Sequence, residues 1–217
     1  MNKKEVVNKV VEYLEQNFKN ESTGHDFWHF MRVQKTAKNI SKKEGGDLFV
    51  IELGALLHDI ADWKFYGGTD EIGIKKATIL LKNFNVDEKI IKHVCYIINN
   101  ISFKGAKVKN SMATLEGKIV QDADKLDAMG SIGIARAFAY GGKSNREIYN
   151  PDIKPQMHAS FKEYKNSKGT SVNHFYEKLL LLKNKMNTKT GKRMAVRRHK
   201  IMQDYLKEFF KEWEGKL

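Results

Sequence analysis

Residues 47–60 read DLFVIELGALLHDI. Val50, Leu53, Leu57 and Ile60 recur at three- and four-residue spacing, the period of one buried helix face. Asp47, just ahead of the run, is a residue type that caps helix N-termini. His58 follows Ile51 and Ala55 at i+7 and i+3, so it points to the same interior, and Asp59 comes next. Gly54 and Ala55 are small enough to let a second helix approach closely.

The same period extends in both directions. Val6, Val7, Val10, Val11, Leu14 and Phe18 form one stripe, and Phe30, Val33, Ala37 and Ile40 form a second that ends at Gly45-Gly46. Downstream, Thr69 or Asp70 can cap a helix carrying Ile74, Ala77, Leu81 and Phe84. Asp87 can cap another, carrying Ile90, Ile91, Val94, Ile97, Ile98 and Ile101. That isoleucine-rich stretch would also tolerate a strand, but its period and length favour helix. A sixth helix is predicted from about Met112 to Met129, then a short one over IARAFAYGG. SVNHFYEKLLLL opens another, and the last and longest runs from Thr190 to about Trp213. No internal repeat and no alternating strand pattern occurs. The expectation is an all-α fold, a helical bundle with a C-terminal helical extension.

The chain has 217 residues, 41% of them apolar, enough for one domain with a real core. Both prolines, Pro151 and Pro155, fall in residues 142–170, a polar stretch without sustained period. It is read as a long excursion, a candidate lid over the site. Cys95 is the only cysteine, which excludes an internal disulfide and a cysteine-based zinc site and fits a reducing cytosol. The N-terminus lacks the apolar run of a signal peptide, and no segment reads as a membrane span. Net charge is +13; residues 142–217 hold 18 basic and 8 acidic side chains. Such a basic third fits an anionic partner or a solvated lysine-rich face.

Three segments place metal-ligating residue types on faces that should be apolar. His29 precedes Val33 by one turn and Ala37 by two. His58 and Asp59 close the third helix. Asp124 follows Val120 by one turn, and Asp127 lies one turn further on. Buried imidazoles and carboxylates are costly unless paired or metal-bound. Two histidines and two carboxylates suit a divalent cation such as Mn, Fe, Co, Ni or Zn, with Mg a further option. Singly, each such residue is more often a hydrogen-bonded core group or a cap.

Taken in order, His29 in HFMRV, His58-Asp59 in GALLHDIAD and Asp124 in QDADKLDA resemble the H…HD…D pattern of the HD-domain metal-dependent phosphohydrolase superfamily. GHDFWHF, INNISFKG, IGIARAFAYGG and SVNHFYEKLLLLKNKMNT resemble its stand-alone bacterial YedJ/YpgQ-like branch, from about residue 22 to the end. The resemblance implies an all-α fold with a divalent metal between helices, and hydrolysis of phosphoester or phosphoanhydride bonds. It implies His29, His58, Asp59 and Asp124 as ligands. Asp122 is the other candidate; Asp124 is favoured because Lys125-Leu126 follow it. Some superfamily members bind a second ion, for which His25, His93 or His174 could serve.

A phosphate ester repels hydroxide, so this chemistry needs an ion with an open position and cationic side chains around the transferring group. Asp59 is the expected catalytic carboxylate, with Arg32 and Lys64 beside it, and Lys104 and Arg136 as substrate-binding cations. His25, at i+4 from His29, is expected to bind substrate or to support a ligand. Asp62 and Asp127 are also supporting candidates. Phe27, Trp28, Phe65 and Tyr66 could stack on a base, although aromatics at helical spacing are usually core.

The expectation is therefore a cytoplasmic, metal-dependent phosphohydrolase acting on a small phosphorylated substrate, a nucleotide first. No membrane and no specific nucleic acid is expected as partner, and a homodimer is left open. The chain is expected to form one domain over 1–217, with a metal-binding core at about 22–141, the loop at 142–170 and C-terminal helices at 171–217. The competing readings are a phosphodiesterase of the same superfamily and a basic helical nucleic-acid-binding protein with a structural metal site.

Overall fold

The computed structural model describes residues 1–19, 24–60, 70–102, 112–157, 163 and 169–216. Lys64, Lys104, Asp62, Phe65, Tyr66 and the alternative cap Thr69 lie outside these. Every regular element among the described residues is helical, as the sequence predicts.

The chain divides into two compact units. The first takes in the described residues of 1–102 and 112–124, the second those of 125–216. In the first unit, α1 (Lys3–Phe18) opens on a reciprocal cap. Asn2 Oδ1 accepts from the Glu5 amide, and Glu5 Oε2 accepts from the Asn2 amide, both at 2.9 Å. Next come α2 (Phe27–Glu44), α3 (Leu48–Leu57), α4 (Asp70–Asn83), α5 (Glu88–Asn100) and α6 (Leu115–Asp127), whose residues up to Asp124 belong to this unit.

α3 is the centre of this unit. Asp47 caps it by accepting from the Phe49 amide at 2.9 Å. Eight of its ten residues are buried, and it packs against α1, α2 and α5. Gly54 makes the close approach possible. A Cβ there would lie 3.2 Å from Ile97 Cδ1 and 3.3 Å from Val120 Cγ2. The isoleucine-rich stretch is α5, a helix, with Ile91, Val94, Ile97 and Ile98 buried.

α6 is shorter than the predicted 112–129. Thr114 Oγ1 accepts from the Gly117 amide at 3.2 Å and sets its start. Met129 is extended and Gly130 has φ +69, which turns the chain into α7 (Gly130–Lys143). The second unit continues with α8 (Ser171–Glu177), a 3₁₀ helix (Leu179–Lys185) and α9 (Lys189–Trp213). The helix predicted over SVNHFYEKLLLL is broken at Lys178, whose φ is −141°. Leu179 and Leu182, three apart, are buried, a spacing that the three-residue period of a 3₁₀ turn aligns.

Residues 147–156 are tied to the helix that follows them. The carbonyls of Glu147 and Ile148 accept from the amides of Ser171 and Val172 at 2.9 and 3.0 Å. Asn173 Nδ2 donates to the Ile153 carbonyl at 2.8 Å, and Glu177 Oε1 accepts from the Gln156 amide at 3.0 Å. The first two bonds satisfy open amides of the α8 N-terminus, and the other two tie the strap to α8 side chains. Together they make 147–156 a strap on α8; of the segment read as a lid, residues 158–162 and 164–168 lie outside the described residues.

Candidate metal centre

Each functional side chain is placed by a local rule. Asp26 Oδ1 accepts from the His29 amide at 2.9 Å and starts α2. Phe27, Phe30 and Val33 then bury one side of that helix and carry His29 inside, where it has no exposed surface. At the other end of the motif, α3 stops at Leu57. His58 keeps helical backbone as its cap residue and turns its ring inward. His58 Nδ1 donates to the Ala55 carbonyl at 2.9 Å. That satisfies an orphaned end-of-helix carbonyl and leaves Nε2 as the ligand atom. Asp124 rides on α6, one turn after the fully buried Val120.

These residues converge. His29 Nε2 and His58 Nε2 lie 3.1 Å apart. Asp59 Oδ2 is 3.6 Å from each of them. Asp124 Oδ1 is 3.7 Å from His29 Nε2 and 3.6 Å from His58 Nε2. His25 Nδ1 lies 3.1 Å from Asp59 Oδ2 on the outer side. Among the described residues two donor groups could hold an ion, His29–His58–Asp124 and His25–His29–Asp59, and His29 is common to both.

The donor set fits a divalent ion. Ligand atoms each about 2.0–2.2 Å from one ion stand roughly 3.0–3.6 Å from their neighbours in tetrahedral or octahedral arrangements. The observed spacings fall at that range. Two imidazole nitrogens that face each other in a buried space, each flanked by carboxylate oxygens, have little purpose without a cation between them.

The electrostatics agree. Burial opposes charge on His58, but Asp59 and the charge and hydrogen bond of Asp124 outweigh it and raise the imidazole to about 9. Burial also opposes the Asp59 carboxylate, yet His58, His25 and His29 hold it well below the usual range. Asp124 is likewise held low, against burial, chiefly by His58. With no ion present, a proton on His58 supplies the cation that the two carboxylates require.

Arg32 is on α2, one turn beyond His29 and half-buried. Arg136, on α7 in the second unit, donates from Nη1 to Asp127 Oδ2 at 2.9 Å, so Asp127 is an ion-pair partner. Asp122 is fully buried on α6. His93 Nε2 stands 3.7 Å from Glu116 Oε2 and belongs to neither donor group. His174 is on α8. Phe27 is core, whereas Trp28 is 60% exposed. The Ala55 carbonyl that orients His58 left no mark in the sequence, because any residue there offers the same atom.

Among the described residues no helix is long and apolar enough to cross a membrane. The model of the HD domain matches residues 27–129, from the start of α2 to just past α6. YpgQ of Bacillus subtilis is 35% identical over 90% of this chain and 87% of its own. A crystal structure of YpgQ in complex with ADP superposes with a TM-score of 0.73 at 33% identity, covering 95% of this chain and 97% of that one. An HD-superfamily hydrolase from Bacillus thuringiensis gives 0.75 at 42% identity over 98% and 99% of the two chains. A Lactobacillus plantarum protein gives 0.88 at 34% over 99% and 100%. With such identity over nearly the whole of both chains, and the HD dipeptide at the heart of the donor cluster, the protein belongs to the HD domain family.

Proposed function

We propose that the protein is a divalent-metal-dependent phosphohydrolase acting on a nucleotide at a phosphoester or phosphoanhydride bond. The observation that carries this reading is the facing pair of Nε2 atoms 3.1 Å apart, flanked by Asp59 Oδ2 and Asp124 Oδ1. His29, His58, Asp59 and Asp124 would hold the ion. Two nitrogen and two carboxylate donors suit Mn, Fe, Co, Ni or Zn better than an all-oxygen cation site would.

A bound divalent ion would lower the pKa of water toward neutrality and neutralise phosphoryl oxygens. The chain's own groups do the rest. The Ala55 carbonyl holds the His58 ring, so its Nε2 stays aimed between the carboxylates. Asp59 has one oxygen toward the histidines and can accept a proton or hydrogen bond from the attacking water with the other. Arg32 is the described cation assigned to the transferring phosphoryl group, with Lys64 as a second. The ADP complex of YpgQ supports a nucleotide as substrate or product.

The test is a screen of nucleoside mono-, di- and triphosphates and of linear and cyclic diesters, with Mn²⁺, Co²⁺, Ni²⁺, Zn²⁺ and Mg²⁺, resolving phosphate from pyrophosphate. Metal-dependent release from a nucleotide supports the proposal. Cleavage confined to diesters favours the phosphodiesterase reading, and no release with any metal rejects both.

A further inference from the structure

His25 sits outside the H…HD…D set, yet its approach to the centre is built with care. Gly24 has φ +81, a left-handed backbone that a side chain would strain. Asp26 then caps α2 through the His29 amide. Between these two fixed points, His25 lies edge-to-face on the His29 ring, with centroids 5.3 Å apart and planes at 68°. Its side chain is only 15% exposed, and its Nδ1 is 3.1 Å from Asp59 Oδ2.

The oxygen it touches is the informative one. Oδ2 is the Asp59 atom 3.6 Å from both Nε2 atoms, the one turned toward the position an ion would take. Asp59 follows the end of α3 in a turn, so no helix backbone fixes its rotamer. A carboxylate on a turn can rotate about χ1 and χ2, and freezing it on ion binding costs side-chain entropy.

We propose that His25 is a positioning residue for the metal centre, its Nδ1–H holding Asp59 Oδ2 in its ion-facing orientation. The proposal rests on the metal reading above and adds to it a residue that acts through Asp59. Groups that orient a ligand in this way typically account for about 10–100-fold in metal affinity.

The experiment uses the full-length protein stripped with chelator and titrated with Mn²⁺ and Co²⁺. The variants are His25→Ala, His25→Phe and His25→Asn. Affinity is read by competition with a chelator, stoichiometry by metal analysis, and coordination by Co²⁺ visible absorption. The expected result is one ion per chain throughout and a Co²⁺ spectrum of unchanged coordination number. Affinity should fall about 10–100-fold in Ala and Phe. Asn, whose Nδ2–H lies near the lost Nδ1–H, should recover most of it. The Phe variant keeps the ring packing, so a loss there cannot be assigned to a collapsed helix start. Unchanged affinity in Ala and Phe would overturn the proposal, as a mere substrate contact would leave metal binding alone. A Co²⁺ spectrum that loses a directly bonded nitrogen would also overturn it, making His25 a ligand. Failure of the wild-type protein to bind any ion would instead bring down the metal reading itself.

Discussion

His29 Nε2 and His58 Nε2 face each other at 3.1 Å, from helices whose sequence positions are 29 residues apart. Both rings are buried, and carboxylate oxygens stand at 3.6–3.7 Å on their flanks. A divalent ion between them would be held by both nitrogens and the flanking oxygens.

Replacing His58 or Asp59 by Ala should therefore abolish metal retention. Affinity should drop by more than about 100-fold, beyond the loss of an orienting partner. The far-ultraviolet helical spectrum should stay near wild type, since both residues lie past the last turn of α3. Metal analysis after gel filtration and circular dichroism check the two halves of this statement.

The pH dependence has a defined sign. His58 is raised from 6.5 to about 9 in the ion-free protein. Its contribution to stability is complete below about pH 6.5 and lost as pH climbs through about 9. Melting temperature of the chelated protein should accordingly fall across that window. Metal binding needs neutral His58 and expels its proton, so affinity should rise over the same interval. The gap between loaded and chelated melting temperatures should widen with pH. Asp59 and Asp124, held below 3.8, contribute above that value and cease to as pH falls further.

Gly54→Val tests the packing at α3. The new Cβ would meet Ile97 and Val120 at 3.2 and 3.3 Å, and its methyls would meet more. Overpacking of this kind costs about 1–3 kcal/mol. Denaturant titration should show a lower midpoint with an unchanged slope.

Arg136→Ala should be chiefly a stability mutation. Arg136 and Asp127 are 13% and 4% exposed in their ion pair, and the loss leaves a buried carboxylate. Breaking such a pair costs about 3–5 kcal/mol. A variant of normal melting temperature but raised KM would instead support the substrate-binding role expected from the sequence.

The basic face of α9 separates into two kinds of residue. Lys192, Arg193 and Arg197 are exposed, while Arg198 is half-buried and donates to the Leu126 carbonyl. Charge reversal at the first three should leave turnover nearly unchanged at all salt concentrations. Arg198→Glu should destabilise by about 1.5–3 kcal/mol, the range for hydrogen bonds to charged groups. Thermal denaturation of each variant, with kinetics in low and high salt, distinguishes them.

The sequence by itself determined the helices and singled out candidate donors. A 3.6-residue period repeats through six segments, and caps such as Asp47 and Asp87 act within four residues of chain, so both are local properties. His29, His58 and Asp124 stood out because a polar group on an apolar stripe contradicts the period around it, while Asp59 and the choice of Asp124 over Asp122 came from the resemblance to the HD pattern. Tertiary structure decided what each polar group does. The Nε2–Nε2 approach, the Ala55 carbonyl behind His58 and the His25 contact to Asp59 join atoms from separate segments, and no local spacing encodes them. Arg136 looks the same in sequence whether it meets a phosphate or Asp127, because only the neighbour brought in by folding sets its charge balance. The strap at 147–156 escaped for a related reason. Two of its hydrogen bonds run from backbone carbonyls to the open amides of α8, and a backbone carbonyl carries no residue signature.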